Sequence, residues 1–194
     1  MRPSASGRHP DCVPDGFRRR HHVVKIRFAC YKFAPSLVSA GIRWWSHSLY
    51  SHVAIIVEQE GQFPALFEAL EQGFVKSQMQ DLGRLLKLHH AEPGVVVDLF
   101  DYVAPPDAAI VAHILDRTVG QKYDYAGIAS FVTGGAIPEN PARVFCSEIA
   151  GEASRLGGAP LQNCPSKNLM PRDVAMSLAL SYTESIELDR VCVT

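Results

Sequence analysis

Three side chains of kinds that cooperate in acyl-transfer chemistry are spread along this chain: His52 in "YSHVAII", Glu68 in "LFEAL" and Cys146 in "RVFCSEIAGEA". A thiolate attacks a carbonyl carbon, an imidazole carries the proton to the leaving group, and a carboxylate fixes the imidazole tautomer and favours its charged form. Cys146 lies where a short apolar approach becomes a helix: apolar residues at 149, 150, 153 and 156 share one helical face, and Gly157 and Gly158 end it. In a first helical turn, unpaired backbone N–H groups and the positive end of the helix dipole stabilise a thiolate and lower its pKa from the free value of roughly 8.5. The competing reading is a small buried hydrophobe, the usual state of a free cysteine and the one expected of Cys30 in "KIRFACYKF".

The elements that must bring these groups together are legible in outline. "VVKIRFACYKF" predicts a strand, and "APSLVSAGIRWW", with Pro35 and Ser36 in helix-start positions, a short helix. "SHVAIIVEQEGQFPALFEAL" is a hairpin signal, with a β-branched run over 52–57, a polar turn containing Gly61 and a second apolar run through Leu70. Counting back through the turn sets Glu68 opposite Val53, beside His52 at the strand entrance. "GFVKSQMQDLGRLLKL" reads as a strand leading into a helical or looped crossover, and "GVVVDLFDYV" as another strand. "PPDAAIVAHILDRTVG" predicts a helix with Pro106 at its first position and Gly120 as its stop. "YDYAGIASFVTGG" reads as a helix capped by Asp124, and "GGAIPENPARVF" as the loop that delivers the chain to Cys146. "PRDVAMSLALS" and "YTESIELDRVCV" supply a last short helix and a last strand.

Composition bounds the setting. At 194 residues, 47% hydrophobic and 20% charged, the chain can bury one sizeable core, so residues 23–194 are expected to form a single domain. Residues 1–22, rich in Pro, Arg, Gly and His, are expected to be a disordered arm. A net charge of -1 supplies no basic face for nucleic acid. The uncharged runs 44–57 and 125–138 are too short to span a bilayer as helices, so no integral membrane segment is expected. Lys25, Arg27 and Lys32 interrupt the only stretch placed like a signal core, which leaves a cytoplasmic location as the default expectation.

Five cysteines at 12, 30, 146, 164 and 192, with no CxxC pair, argue against a disulfide framework and a four-cysteine zinc site. The histidines at 21, 22, 47, 89 and 90 raise a metal hypothesis. The two His-His pairs are sequence neighbours whose side chains would diverge in a strand, and no HExxH accompanies them, so they read as tag-like or solvated-loop residues. No metal and no cofactor is expected.

Taken in order, "YSHVAII", "LFEAL", "KYDYAGI", "FCSE" and the closing "NLMPRDVAMSLALSY" resemble the circularly permuted branch of the NlpC-type papain-like cysteine amidases and peptidases, the YiiX/YebB-like group. The resemblance covers nearly the whole chain outside the arm, and the order His, acid, Cys is the permuted one. It implies an α+β papain-like fold with an antiparallel sheet packed against the cysteine-bearing helix. It also implies Cys146 as nucleophile, His52 as general base and Glu68 as the residue orienting the imidazole. Tyr123 and Ser147 become candidates for substrate contact or an oxyanion site.

The function expected is a thiol hydrolase that cleaves an amide bond, in a cell-wall-type peptide or similar small amide, through an acyl-enzyme on Cys146. The permuted branch also resembles lecithin retinol acyltransferase-like enzymes, so lipid acyl transfer or ester hydrolysis is an alternative, against which stands the lack of an obvious membrane-binding helix. A non-enzymatic binding module is a third reading, against which stands the intact set Cys146, His52 and Glu68.

Overall fold

The computed structural model describes residues 24–34, 36–90, 92–124 and 143–188. Its strands are β1 (Val24–Lys32), β2 (Tyr50–Gln59), β3 (Ala65–Leu70), β4 (Gly73–Gln78), β5 (Val96–Tyr102), β6 (Lys122–Tyr123), β7 (Arg143–Val144) and β8 (Leu180–Glu187). Its helices are α1 (Leu37–Ser46), α2 (Leu82–Lys87), α3 (Ala108–Thr118), α4 (Cys146–Leu156) and α5 (Pro171–Ala175), with a 3-10 turn at Ser166–Asn168. Six strands form one antiparallel sheet in the order β4-β3-β2-β1-β5-β8. β6 and β7 pair in parallel, at two residues each too short to leave a periodic signal in the sequence.

The run Val53 to Val57 does not alternate because both faces of β2 are covered. On one face Phe28, Cys30, Val53, Ile55 and Phe67 share a core with Val111 and Leu115 of α3 and with Ile149, Ala150 and Ala153 of α4. On the other, Ala29, Tyr31, Ala54, Ile56 and Leu66 meet Leu85 and Leu86 of α2. Each large apolar side chain so buried contributes about 1.5–3 kcal/mol. The expected packing of an antiparallel sheet against the cysteine helix is therefore what the first of these cores contains. Cys30 is buried within it, as its bland reading required.

Helix starts follow capping chemistry. Ser36 Oγ accepts the Ser39 N–H at 3.0 Å. α3 begins at Ala108 rather than at Pro106, because Asp107 Oδ1 accepts the N–H groups of Ala109 and Ile110 and so takes the cap position that a proline side chain cannot fill. Leu156, assigned to the buried stripe of α4, is instead turned out in the last turn at 45% exposure. The buried arc extends instead to Gly151 on the other side of the helix, where a Cβ would run into Leu169 and Ser166. The arm over 1–22 and the helix and loop expected between residues 125 and 142 lie outside the described residues. Among the described residues no helix is long and apolar enough to cross a membrane.

Gly73 opens β4 at φ 128°, a left-handed conformation, and its ideal Cβ would lie 2.6 Å from the Gln121 carbonyl oxygen. That carbonyl accepts the Phe74 N–H at 2.8 Å, tying the edge strand to the segment entering β6. Gly73→Ala is expected to cost on the order of 1–3 kcal/mol. A urea titration checks it: the midpoint should fall with the slope unchanged.

Candidate active site

His52 enters β2 opposite Tyr31 of β1. The ladder between β2 and β3 runs from Ala54↔Glu68 to Val57↔Ala65. Glu68 therefore stands opposite Ala54, not Val53 as counted from the sequence. The assumed register would have paired Val57 with Pro64, which has no N–H to give a ladder. The difference of one residue decides the face: opposite Val53 the carboxylate would have pointed away from His52, whereas opposite Ala54 it shares His52's face, one diagonal step away. The two meet at 3.2 Å, His52 Nε2 to Glu68 Oε2.

The ladder stops at Ala54, so Val53 carries no β3 partner in it, and its N–H donates to the Cys146 sulfur. Cys146 is the first residue of α4, and Phe145 before it has a hydrocarbon side chain that cannot accept from the first turn. The Ser147 N–H also donates to the sulfur, and the His52 side chain is hydrogen-bonded to it. With Nε2 directed at Glu68, Nδ1 is the ring nitrogen left for the sulfur. Cys146, His52 and Glu68 thus form one connected chain at 2%, 7% and 1% exposure.

A second imidazole, absent from the expected set, joins it. His90 Nε2 lies 2.8 Å from the same Glu68 Oε2, and His89 Nε2 lies 3.9 Å from Oε1. The solvated-loop reading of the 89–90 pair fails for His90, which is largely buried. Its position is set by α2: Asp81 caps the helix, Leu85 and Leu86 bury against the sheet, and the His90 N–H closes onto the Lys87 carbonyl at 3.1 Å. Nothing local in "KLHHAEP" marks a residue that only the docking of a six-residue helix aims at Glu68. The Tyr31 ring packs on both imidazoles, with centroids 5.4 Å from His52 and 4.2 Å from His90.

Charge follows from these contacts. Burial by itself pushes the Cys146 thiol up, but the adjacent His52 charge and hydrogen bond and the N–H groups of Val53 and Ser147 bring it below the ordinary thiol value. Burial pushes His52 down, and the sulfur and Glu68 together overcome it and raise its pKa well above the ordinary imidazole value. Glu68 is penalised by burial yet held far below the usual carboxylate range by His52 and His90. His90 is lowered, mainly by burial and with the charge of His52 adding to it, despite its bond to Glu68. These shifts favour, in series, a thiolate at Cys146, an imidazolium at His52, a carboxylate at Glu68 and a neutral imidazole at His90.

Tyr123, buried in β6, lines a cleft of about 510 Å³ together with His52, His90 and Ser39 and Ile42 of α1. The Ser147 hydroxyl is turned away, donating to the Leu169 carbonyl at 2.6 Å, so only its backbone N–H faces the sulfur. Among the described residues, His52, Glu68 and His90 form the group that could hold a metal ion, each offering one ligand atom, all within 4.8 Å of one another.

No protein-family model matches the chain, and no curated protein matches it. Among solved structures it is similar to one described as metalloprotein YiiX from Escherichia coli O157:H7, DUF1105, with a TM-score of 0.62 at 16% sequence identity over 82% of this chain and 96% of that one. That likeness shows the fold: an α+β arrangement of an antiparallel sheet and several helices of the YiiX kind.

Because the Glu68 pKa is depressed in the folded protein, its stabilising contribution is full above the unfolded carboxylate value of about 4.3 and is lost as pH falls toward the folded value. Glu68→Gln removes that dependence. Unfolding free energies measured between pH 5 and pH 2 should fall more steeply in the parent protein than in Glu68→Gln, by on the order of 1–3 kcal/mol over the interval.

Proposed function

We propose that the protein is a thiol hydrolase of the YiiX-like branch of the permuted NlpC-type papain-like enzymes, cleaving an amide bond in a small peptide of the cell-wall type or a similar amide. The observation that carries this reading is His52 joined to the Cys146 sulfur on one side and to buried Glu68 on the other. Neither a structural thiol nor an idle strand histidine needs that connection. A binding module could dispense with it.

In this reading the Cys146 thiolate attacks the carbonyl carbon, and the carbonyl π pair moves onto oxygen. That oxyanion is met by N–H groups at the start of α4, with the Ser147 N–H the nearest candidate and Tyr123 placed along the cleft. As the tetrahedral species collapses, the C–N bond breaks and the His52 imidazolium gives its proton to the leaving amine. Water then loses a proton to His52, attacks the thioester, and the C–S bond breaks to return the thiolate. Glu68 holds the ring in the tautomer both steps require, and His90 holds Glu68.

A second reading has a specific observation behind it. The outer face of α1 exposes Leu37 at 92% and Trp44 at 72%, with Leu49 half-exposed nearby, while Ser39 and Ile42 of the same helix line the cleft. An aromatic, apolar surface at the mouth of the site suits a lipid interface, which keeps acyl transfer or ester hydrolysis on a lipid substrate as the alternative.

Incubation with peptidoglycan peptides, phospholipid vesicles and acyl-ester probes, followed by intact-mass analysis, separates the readings. The amidase reading expects an acyl adduct on Cys146 from a peptide and none from vesicles; labelling by neither class, in folded protein, leaves the binding module. In chelator-treated protein, iodoacetamide at about pH 6 should label Cys146 before the exposed Cys164, since only Cys146 has an imidazolium beside it. His52→Ala should raise the Cys146 labelling midpoint by about one pH unit or more, on the order of 1.4 kcal/mol per unit. If Cys146 reacts only in denaturant, the hydrolase reading falls. Glu68→Gln should lower turnover by roughly 10- to 10⁴-fold without unfolding.

A further inference from the structure

Glu68 is met by more imidazole than a relay from thiol to carboxylate requires. His52 Nε2 and His90 Nε2 both converge on Oε2, at 3.2 and 2.8 Å. The other oxygen, Oε1, is buried without a hydrogen-bond partner, although His89 Nε2 lies 3.9 Å from it. If His90 served only as a hydrogen-bond donor that steadies the carboxylate, Oε2 would be explained and Oε1 would not. A buried carboxylate oxygen left without a donor costs free energy, and a cation is the ligand that would repay it.

The donor set has the geometry and softness of a particular class of ion. Bonds of about 2.0–2.2 Å in a tetrahedral site hold neighbouring ligand atoms roughly 3.3–3.5 Å apart. The two distances to Oε2 are within an ångström of that, and all three ligand atoms already lie within 4.8 Å of one another. Two imidazole nitrogens with one carboxylate suit zinc and its first-row neighbours rather than magnesium or calcium, which take oxygen ligands. Orientation is already fixed: the Tyr31 ring packs on both imidazoles, and the Cys146 sulfur takes the hydrogen bond on the far side of His52 that a metal-bound histidine makes to its supporting partner. His52 and His90 also line the cleft, so a position beyond the three protein ligands faces open space.

We propose that His52, Glu68 and His90 form a binding site for one divalent ion of the zinc class, with the remaining coordination position open to the cleft. His52 Nε2 cannot hold the ion and donate to Glu68 at once, so the occupied site lacks the ring arrangement that proton transfer needs. The ion is then a reversible inhibitor, and this consequence alone rests on the hydrolase reading.

The test uses the full chain, stripped with chelator and titrated with Co²⁺ alone while visible absorption is followed. One equivalent should saturate a ligand-field spectrum of a low-symmetry site, and Zn²⁺ should bleach it. His90→Ala and Glu68→Gln should each weaken binding by about tenfold or more, with His90→Gln as the shape-conserving check and circular dichroism reporting the fold. His113→Ala, on the exposed side of α3, and the double change His21→Ala with His22→Ala should leave the spectrum unchanged. Cys146→Ser should also keep it, which separates the metal result from the thiol chemistry: a Cys146 that stays unreactive in the chelator-treated, metal-free protein, when the same protein then binds one equivalent of Co²⁺, would sink the hydrolase and leave the site standing. No absorption at one equivalent, or a spectrum that follows His21 and His22 rather than His90, overturns the proposal. Where amide hydrolysis is measured, Zn²⁺ should suppress it and chelator restore it; indifference to both refutes the inhibitory consequence.

Discussion

A carboxylate at 1% exposure is the group around which the rest of the site is arranged. Taking an ion of that size out of water costs several kcal/mol even after the protein relaxes, so Glu68 stays charged only because two imidazoles converge on one of its oxygens. One of them, His52, repays the carboxylate by becoming cationic, and that cation in turn makes the Cys146 thiolate tenable in surroundings that would otherwise protonate it. Remove the carboxylate and His52 keeps only the sulfur, the larger of its two partners, to set against burial, so its charge and the hold it has on the Cys146 thiolate both weaken.

The sheet makes this series possible by ending early at one place. Had the ladder between β2 and β3 continued past Ala54, the Val53 N–H would be committed to β3 and could not meet the sulfur. Because it stops there, the first turn of α4 can approach the margin of β2 from the face that holds Val53 and Ile55, while Glu68 and His90 approach His52 from the face that holds Ala54. His52 lies at the end of the strand where both faces are within reach. The depth of the two cores holds this margin rigid, with Tyr31 packing against both imidazoles from below.

Much of this was legible before any tertiary contact was known. The strand and helix order, the first-turn placement of Cys146, the Ser36 cap and the end of α4 at Gly157 depend on hydrogen bonds, capping and periodicity within a few residues, which local sequence carries. The pairing of His52 with Glu68 was within reach because a hairpin joins them. Its register was misjudged by one residue, since Pro64 and the length of the turn, not hydrophobic pattern, set where the ladder begins.

Sequence alone thus determined the kinds of group present and the elements that carry them, because those follow from short-range chemistry along one chain. Tertiary structure alone decided which groups meet and in what protonation state. His90 comes to Glu68 only when α2 buries Leu85 and Leu86, the Ser147 hydroxyl is drawn off to Leu169, and Cys146 reaches His52 across a separation that no local signal spans. The charges are set last of all, because the pKa of a buried group depends on how much water is excluded around it and on which opposite charges remain, and both exist only in the packed protein.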